Sequence, residues 1–244
     1  MLSQQDIGNK QDVIAIRYLE KEIQEAISNL FVTEYHDASV LSVYSNLSMQ
    51  LLAVKVLSRT PLQSDPWLEM PFNKIRKVDF NPLFSLVPAK FATPGINRGL
   101  AQDEPVYVQV NLAPDNIHYV QGLLKHHGQH ATASNTMYIV QLADVYIMVL
   151  FKGKECVFAN SFTCTSEHEV LYFILNALAN ADIAQRDTAL LMDYSMISSI
   201  KFKDFFSPYF QSVEYLRLGQ NELGNEIPYL HEMLFPNYLL SLCE

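Results

Sequence analysis

Apolar residues recur at helical spacing from Gln11 to Phe31. Val13, Ile16, Leu19, Ile23, Ala26, Ile27 and Leu30 line one face, and Glu20, Lys21, Glu22 and Glu25 largely fill the other. The spacing predicts an amphipathic helix that packs on the core or serves as a partner-binding arm. The pattern then changes. Val40–Tyr44 and Met49–Leu57 are runs rich in Val and Leu with Ser45-Asn46 between them, which predicts a hairpin. Pro61, Pro66 and Pro71 make Thr60–Phe72 a connection. Lys74–Phe80, Phe84–Val87 and Val106–Val110 read as strands. Pro88 suits a helix start, Thr93–Pro105 reads as loop and Ile117–His126 as a short helix that Gly128 ends.

The second half repeats this grammar. Met137–Leu142 and Val145–Phe151 are apolar strands joined at Ala143-Asp144, and Lys152-Gly153-Lys154 turns into a third strand, Cys156–Phe162. Ser166 can cap the next helix, with Glu167 and Glu169 in its first turn and Val170, Phe173, Ile174 and Ala177 on its apolar face. Thr188–Met192 and Val213–Leu216 read as strands, and Ile197–Phe206 as a helix. Tyr229–Cys243 is an apolar segment interrupted by Pro236. A hairpin opens each half, roughly 100 residues apart, so the order predicts two mixed α/β units from an internal duplication.

Composition narrows the chemistry. Hydrophobic residues make up 49% of the 244, enough for a sizeable core, and the net charge of -9 disfavours binding to a nucleic-acid backbone. There are 8 glycines and no G-x-G, so neither a P-loop nor a dinucleotide fingerprint is present. Cys156, Cys164 and Cys243 form no C-x-x-C, which points to buried thiols in a reducing compartment. The polar N-terminus and the absence of a run of ~20 apolar residues predict a cytoplasmic chain that does not cross a membrane. His126 and His130 would lie on one helix face as a pair of metal ligands, with helix-end histidines as the plainer reading. His168-Glu169 and His231-Glu232 lack the second histidine of a zinc protease, because Tyr172 and Phe235 stand there. Lys74, Arg76 and Lys77 read as a solvated strand face. Phe202, Phe205, Phe206, Tyr209 and Phe210 read mostly as core, with some surface left for an interface.

Several motifs together resemble a known family. They are Phe158-Ala159-Asn160-Ser161-Phe162, the helix Glu167–Asn180 with Leu171-Tyr172-Phe173, Ala189–Asp193, Pro236-Asn237-Tyr238, Leu242-Cys243-Glu244 and, upstream, Phe84–Pro88. Their order resembles an uncharacterised family of unknown function found mainly in Bacteroidota, over roughly Val40 to Glu244. The resemblance implies the actin-like ATPase architecture, with two duplicated ribonuclease H-like units, each a mixed sheet with flanking helices. Together with the helix read from periodicity, this gives an N-terminal amphipathic helix over 1–36 and two ribonuclease H-like halves over 37–134 and 135–244 as the expected domains.

Actin-like ATPases place an aspartate and glycines in the first hairpin turn of each half. The turns here, Ser45-Asn46-Leu47 and Leu142-Ala143-Asp144, have no glycine, and only the second has an aspartate. The adenosine-side glycine pair is missing near Asp193-Tyr194-Ser195-Met196. ATP hydrolysis is therefore not expected, nor any cofactor. The expected function is a non-catalytic scaffold or protein-interaction protein whose partner is another protein or a second copy. The alternative is a nucleotide-binding switch with Asp144 near Mg²⁺. A ribonuclease H-like nuclease, with Asp144 and Asp193 on neighbouring strands, is the third reading.

Overall fold

The computed structural model describes residues 13–18, 28–35, 38–47, 50–58, 65–88, 106–110, 116–130, 134–196, 201–218 and 230–243. The chain divides into two compact units. Unit 1 comprises Met1–Asp79, Leu112–Ile117 and Gly219–Glu244, and unit 2 comprises Phe80–Asn111 and His118–Leu218.

Unit 1 is built on a six-stranded sheet in the order β1-β4-β3-β2-β5-β8. The strands are β1 (Val13–Tyr18), β2 (Ser28–Glu34), β3 (Ala38–Ser45), β4 (Leu51–Ser58), β5 (Lys74–Asp79) and β8 (Asn116–His118). Successive pairs from β1 to β2 are antiparallel, and β2 pairs with β5 in parallel. Leu30, Val32, Leu41, Val43, Ala53, Leu57 and Trp67 form one core cluster. Trp67 comes from the single turn α1 (Pro66–Glu69), which Asp65 caps by accepting from the Trp67 backbone N–H at 2.9 Å. Pro66 suits this first turn, where its missing N–H is not needed. The chain returns at its end with α5 (Leu230–Met233) and α6 (Phe235–Leu242), and α6 packs on β2, β3 and β5. Pro236 stands in the first turn of α6 and starts the helix instead of interrupting it.

Two expectations are corrected here. The amphipathic helix over Gln11–Phe31, and with it the helical segment 1–36, gives way to strands β1 and β2, while residues 19–27 lie outside the described residues. The reason is the setting of β2. It lies between β3 and β5 and is buried from Ser28 to Thr33, so apolar residues occupy both of its faces. Such a run carries no period-2 signal to set against the helical one. Domain boundaries also differ from 37–134 and 135–244. Residues 219–244 join unit 1 because α6 packs on its sheet, and residues 80–111 join unit 2.

Unit 2 holds a five-stranded sheet in the order β11-β10-β9-β12-β13. Its strands are β9 (Asn135–Leu142), β10 (Val145–Lys152), β11 (Glu155–Thr163), β12 (Thr188–Met192) and β13 (Ser212–Tyr215). β9, β10 and β11 are antiparallel neighbours, whereas β9, β12 and β13 run parallel. Met137, Ile139, Met148, Leu150, Leu190 and Met192 pack against α3 (Glu167–Asn180) and α4 (Lys201–Phe206). Ser166 caps α3 by accepting from the Glu169 N–H, as its sequence predicts. A two-stranded ribbon pairs β6 (Phe84–Pro88) with β7 (Val106–Val110). β6 ends on Pro88, and residues 89–105, where a helix start and a loop were expected, lie outside the described residues. Helix α2 (Tyr119–His130) runs past Gly128, where the sequence predicts its end.

The two sheets share one plan. In each, the first strand lies between its antiparallel hairpin partner and a parallel fourth strand: β3-β2-β5 in unit 1 and β10-β9-β12 in unit 2. The duplication expected from the sequence is therefore present, but shifted by one strand. The counterpart of the β9–β10 turn is the β2–β3 turn, not Ser45-Asn46-Leu47. The segment between Glu34 and Ala38 contains Asp37, and residues 36 and 37 lie outside the described residues.

Candidate functional site

The parallel strand β12 ends at Met192, paired with Ile139 of β9, and the next residue is Asp193. Its backbone N–H donates to the Ile139 carbonyl at 2.9 Å, continuing the ladder by one bond. The Asp193 side chain is fully buried. One oxygen accepts from the Tyr119 hydroxyl at 2.7 Å, and the other from the Ser195 backbone N–H at 3.2 Å. Ser195 Oγ in turn accepts from the Gln141 N–H at 3.2 Å, tying the segment after β12 to β9. Burial pushes the Asp193 carboxyl up to about 6, against the opposing pull of the Tyr119 hydroxyl and the backbone donors. The carboxylate is thus held from within, with both oxygens engaged.

Asp144 occupies a different setting. It is exposed in the tight turn between β9 and β10, where Ala143 takes φ 56° in the left-handed region. Its carbonyl accepts from the Cys164 N–H at 2.8 Å. By register, Asp144 lies roughly 10 Å beyond Asp193 along the strand direction. One carboxylate is buried and bonded and the other faces solvent, so the pairing that a nuclease reading requires is not formed. Among the described residues, no group of three or more His, Cys, Asp or Glu is placed to hold a metal ion.

His126 and His130 do come together, as the helical spacing predicts. Their rings stack with centroids 4.5 Å apart, and His130 Nδ1 lies 3.0 Å from the His126 carbonyl. Burial, and then the neighbouring His130 and His127, lower His126 to about 4. The residue between them does more structural work. Buried His127 lies 2.6 Å through Nε2 from the Gly153 carbonyl and 3.0 Å through Nδ1 from the Tyr138 hydroxyl, and its ring stacks on Phe151 at 3.7 Å. Gly153 makes this turn at φ +59°, a conformation L side chains rarely adopt.

The remaining candidates fall into the core or onto single surface positions. Phe202, Phe206 and Phe210 are buried, and Phe205 and Tyr209 pack beside them. Cys156 and Cys164 are pushed up to about 12 and about 11, chiefly by burial, so neither is poised as a nucleophile. Exposed large apolar residues are few among those described: Leu47, Leu83, Val157 and Tyr172. Val157 is the extra residue of a bulge on β11, where Leu150 pairs with Phe158 and Phe151 with Cys156. Tyr172 is 64% exposed and makes an edge contact with Phe173 at 5.3 Å. Phe173 stacks on Phe162 at 4.1 Å, and Phe162 lies parallel to Phe158 at 6.2 Å. No helix among the described residues is long and apolar enough to cross a membrane.

Comparison with solved structures fits the duplicated plan. A protein of unknown function from Bacteroides thetaiotaomicron, described as having an actin-like ATPase fold, superposes with a TM-score of 0.70. That match covers 91% of this chain and 100% of the other at 11% identity. The chain has the actin-like ATPase fold. At this identity the likeness concerns fold alone. Weaker likenesses are to the ethanolamine utilization protein EutJ from Carboxydothermus hydrogenoformans and to a chain of the PilM-PilN type IV pilus biogenesis complex. EutJ gives a TM-score of 0.45, 7% identity and coverage of 89% and 90%; the pilus chain gives 0.46, 11%, and 88% and 96%. A family model described as a protein of unknown function, DUF3822, matches residues 105–213, within the span that carries the sequence resemblance. No protein of curated function matches the chain.

Sequence reasoning singled out Asp144, His126 and His130, but not Tyr119, Ser195 or His127. Nothing in the spacing of Tyr119 and Asp193, 74 residues apart, marks them as partners.

Proposed function

We propose that this chain is a non-catalytic protein-interaction module on an actin-like fold, with a protein partner or a second copy as its ligand. The observation that carries the reading is Asp193. The carboxylate after the fourth strand of the five-stranded sheet is wholly buried and bonded to Tyr119 and Ser195, so it is held inside the unit and not presented to a solvent-borne metal or an attacking water. The β9–β10 turn adds support. Its two residues, Ala143 and Asp144, include no glycine, so no backbone cradle is available for a phosphate. The solvent-facing Tyr172, supported by Phe173 and Phe162, is a rigid aromatic of the kind that anchors protein interfaces.

Calorimetric titration of the full chain with Mg-ATP tests the reading. No binding heat at micromolar to millimolar nucleotide is expected. Saturable binding that Asp144→Ala abolishes would replace this reading with that of a nucleotide switch. Light scattering over a concentration series then separates a second copy from a different protein as partner.

A further inference from the structure

The outward face of α3 departs from the usual make-up of a surface helix. His168, Glu169, Tyr172, Asn176, Ala179 and Asn180 are its exposed positions, and they fall on one side at helical spacing. From Val170 to Ala181 the sequence has no charged residue, whereas a helix face turned to water ordinarily carries several. Asn180 Nδ2 donates to Asn176 Oδ1 at 3.5 Å, so the two amides already engage each other. Tyr172 is 64% exposed with Phe173 against it, and Phe162 and Phe158 carry the aromatic surface on across β11. Depletion of charge around an exposed tyrosine is the composition of an interface centre. The β11 edge itself is unsuited to pairing with another strand. The bulge at Val157 breaks its line, and the Ser161 N–H donates to the adjacent Asn160 Oδ1 at 2.8 Å. Contact on this side is therefore made through side chains.

We propose that α3 is a self-association face, which packs antiparallel on α3 of a second copy about a two-fold axis near Asn176. The inference rests on the reading of the chain as an interaction module and names its partner. Charge at the two ends of the uncharged stretch is what selects a second copy. Glu167 and Glu169 stand in the first turn, and the Glu169 carboxylate is held there by the Thr165 N–H and hydroxyl at 2.6 and 3.1 Å. At the other end Lys152 donates to the Ala181 carbonyl at 3.4 Å, and Lys154 is exposed beside it. Turned end for end, the same face offers its lysines to the acids of the first copy, and a two-fold axis makes that contact twice. The helix macrodipoles, antiparallel in this arrangement, agree with the direction.

Positions equidistant from Asn176 meet across the axis, so Tyr172 of each copy lies against Ala179 and Asn180 of the other. The small side chain of Ala179 leaves room for the ring. Glu155 and Asp182 are exposed at the lysine end and offset part of its charge. The rim ion pairs therefore set direction, and the uncharged centre supplies most of the affinity. The helix is about 21 Å long and about 10 Å wide. Its face is thus well below the roughly 800 Å² per partner of a standard interface, and a dimer that dissociates at micromolar concentration is expected.

Sedimentation velocity on the full chain, from micromolar to hundreds of micromolar, tests this. A reversible monomer–dimer equilibrium is expected for the wild type. Tyr172→Glu and Ala179→Glu, both at exposed positions, are each expected to weaken it at least tenfold with an unchanged circular dichroism spectrum. Glu169→Lys and Lys152→Glu each set like charges against one another at both rim contacts, and each is expected to weaken self-association. Mixing these two variants restores opposite charges at both contacts, and a heterodimer stronger than either homodimer is expected. That rescue also separates a lost contact from a lost fold. A monomer at every concentration, a dimer indifferent to Tyr172→Glu and Ala179→Glu, or a mixture that associates no better than its parts overturns the proposal. The Mg-ATP titration is read independently on the wild type. Nucleotide binding ends the interaction-module reading, whereas a monomer that binds no nucleotide ends this inference alone.

Discussion

The hydroxyl of Tyr119, the first residue of α2, donates to the buried carboxylate of Asp193 beyond the end of β12, across 2.7 Å. This bond joins a helix start to the end of the interior parallel strand β12 and holds the carboxylate inside the unit. With Tyr119→Phe the carboxylate keeps its donors in Tyr194 and Ser195 and loses the phenol. Removing a hydrogen bond to a buried charged group costs about 1.5–3 kcal/mol. Urea unfolding followed by circular dichroism is expected to register a loss of that size.

Asp193 also links stability to pH. Its folded-state pKa is raised from 3.8 to about 6, so between these values the folded chain holds the proton more tightly than the unfolded one. Stability contributed by this group is present at low pH and declines as pH rises through the window. Asp193→Asn carries no such dependence. The stability of the variant relative to wild type is expected to be on the order of 2–3 kcal/mol more favourable at pH 7 than at pH 4. Paired urea titrations at the two pH values read this difference directly.

Lys55 and Asp65 form a buried ion pair at 2.7 Å in unit 1, with the ammonium 5.5 Å from the Trp67 ring. Asp65→Ala strands a buried cation and removes the cap of α1, and is expected to cost about 3–5 kcal/mol. Lys55→Met combined with Asp65→Leu should recover part of that loss, because neither charge then remains. The chain has one tryptophan, so its emission reports unit 1 alone. A shift to longer wavelength at lower urea in Asp65→Ala, reduced in the double variant, is the expected result.

Asn237 in α6 donates to the carbonyls of Phe31 and Val40 and accepts from the Thr33 hydroxyl, all within unit 1. Asn237→Ala removes the acceptor of the buried Thr33 hydroxyl and one donor to each carbonyl, at about 1–3 kcal/mol for the hydroxyl left unpaired. Asn237→Asp replaces the donating amide with an acceptor facing two carbonyls and is expected to be at least as damaging. Thermal melts followed through Trp67 compare the two.

Cys156 and Cys164 should resist alkylation in the folded chain. Burial holds their thiols at about 12 and about 11, so little thiolate exists at pH 8. Mass spectrometry after iodoacetamide treatment is expected to find both unmodified without denaturant and both modified in urea. Rapid labelling of Cys164 in the native chain would show that the β11–α3 corner opens.

Local patterning was enough to define most of unit 2. Short apolar runs over Met137–Leu142 and Val145–Phe151 bounded by polar turns, a turn at Lys152-Gly153-Lys154 and a serine cap before an acidic first turn are short-range signals, and the elements lie where these signals place them. The lack of glycine-rich loops was equally legible, because a phosphate cradle has a compositional requirement. Unit 1 was harder to read for a physical reason. A central strand such as β2 is apolar on both faces, and only its neighbours β3 and β5 distinguish it from one side of a helix. Because β2 opens the hairpin of unit 1, the counterpart of the Ala143-Asp144 turn lies between β2 and β3 and not at Ser45-Asn46-Leu47. The site itself was decided by tertiary structure. Tyr119 meets Asp193 across 74 positions and His127 meets Gly153 across 26, and no periodicity encodes a hydrogen bond between elements that only the packed sheet brings within 3 Å.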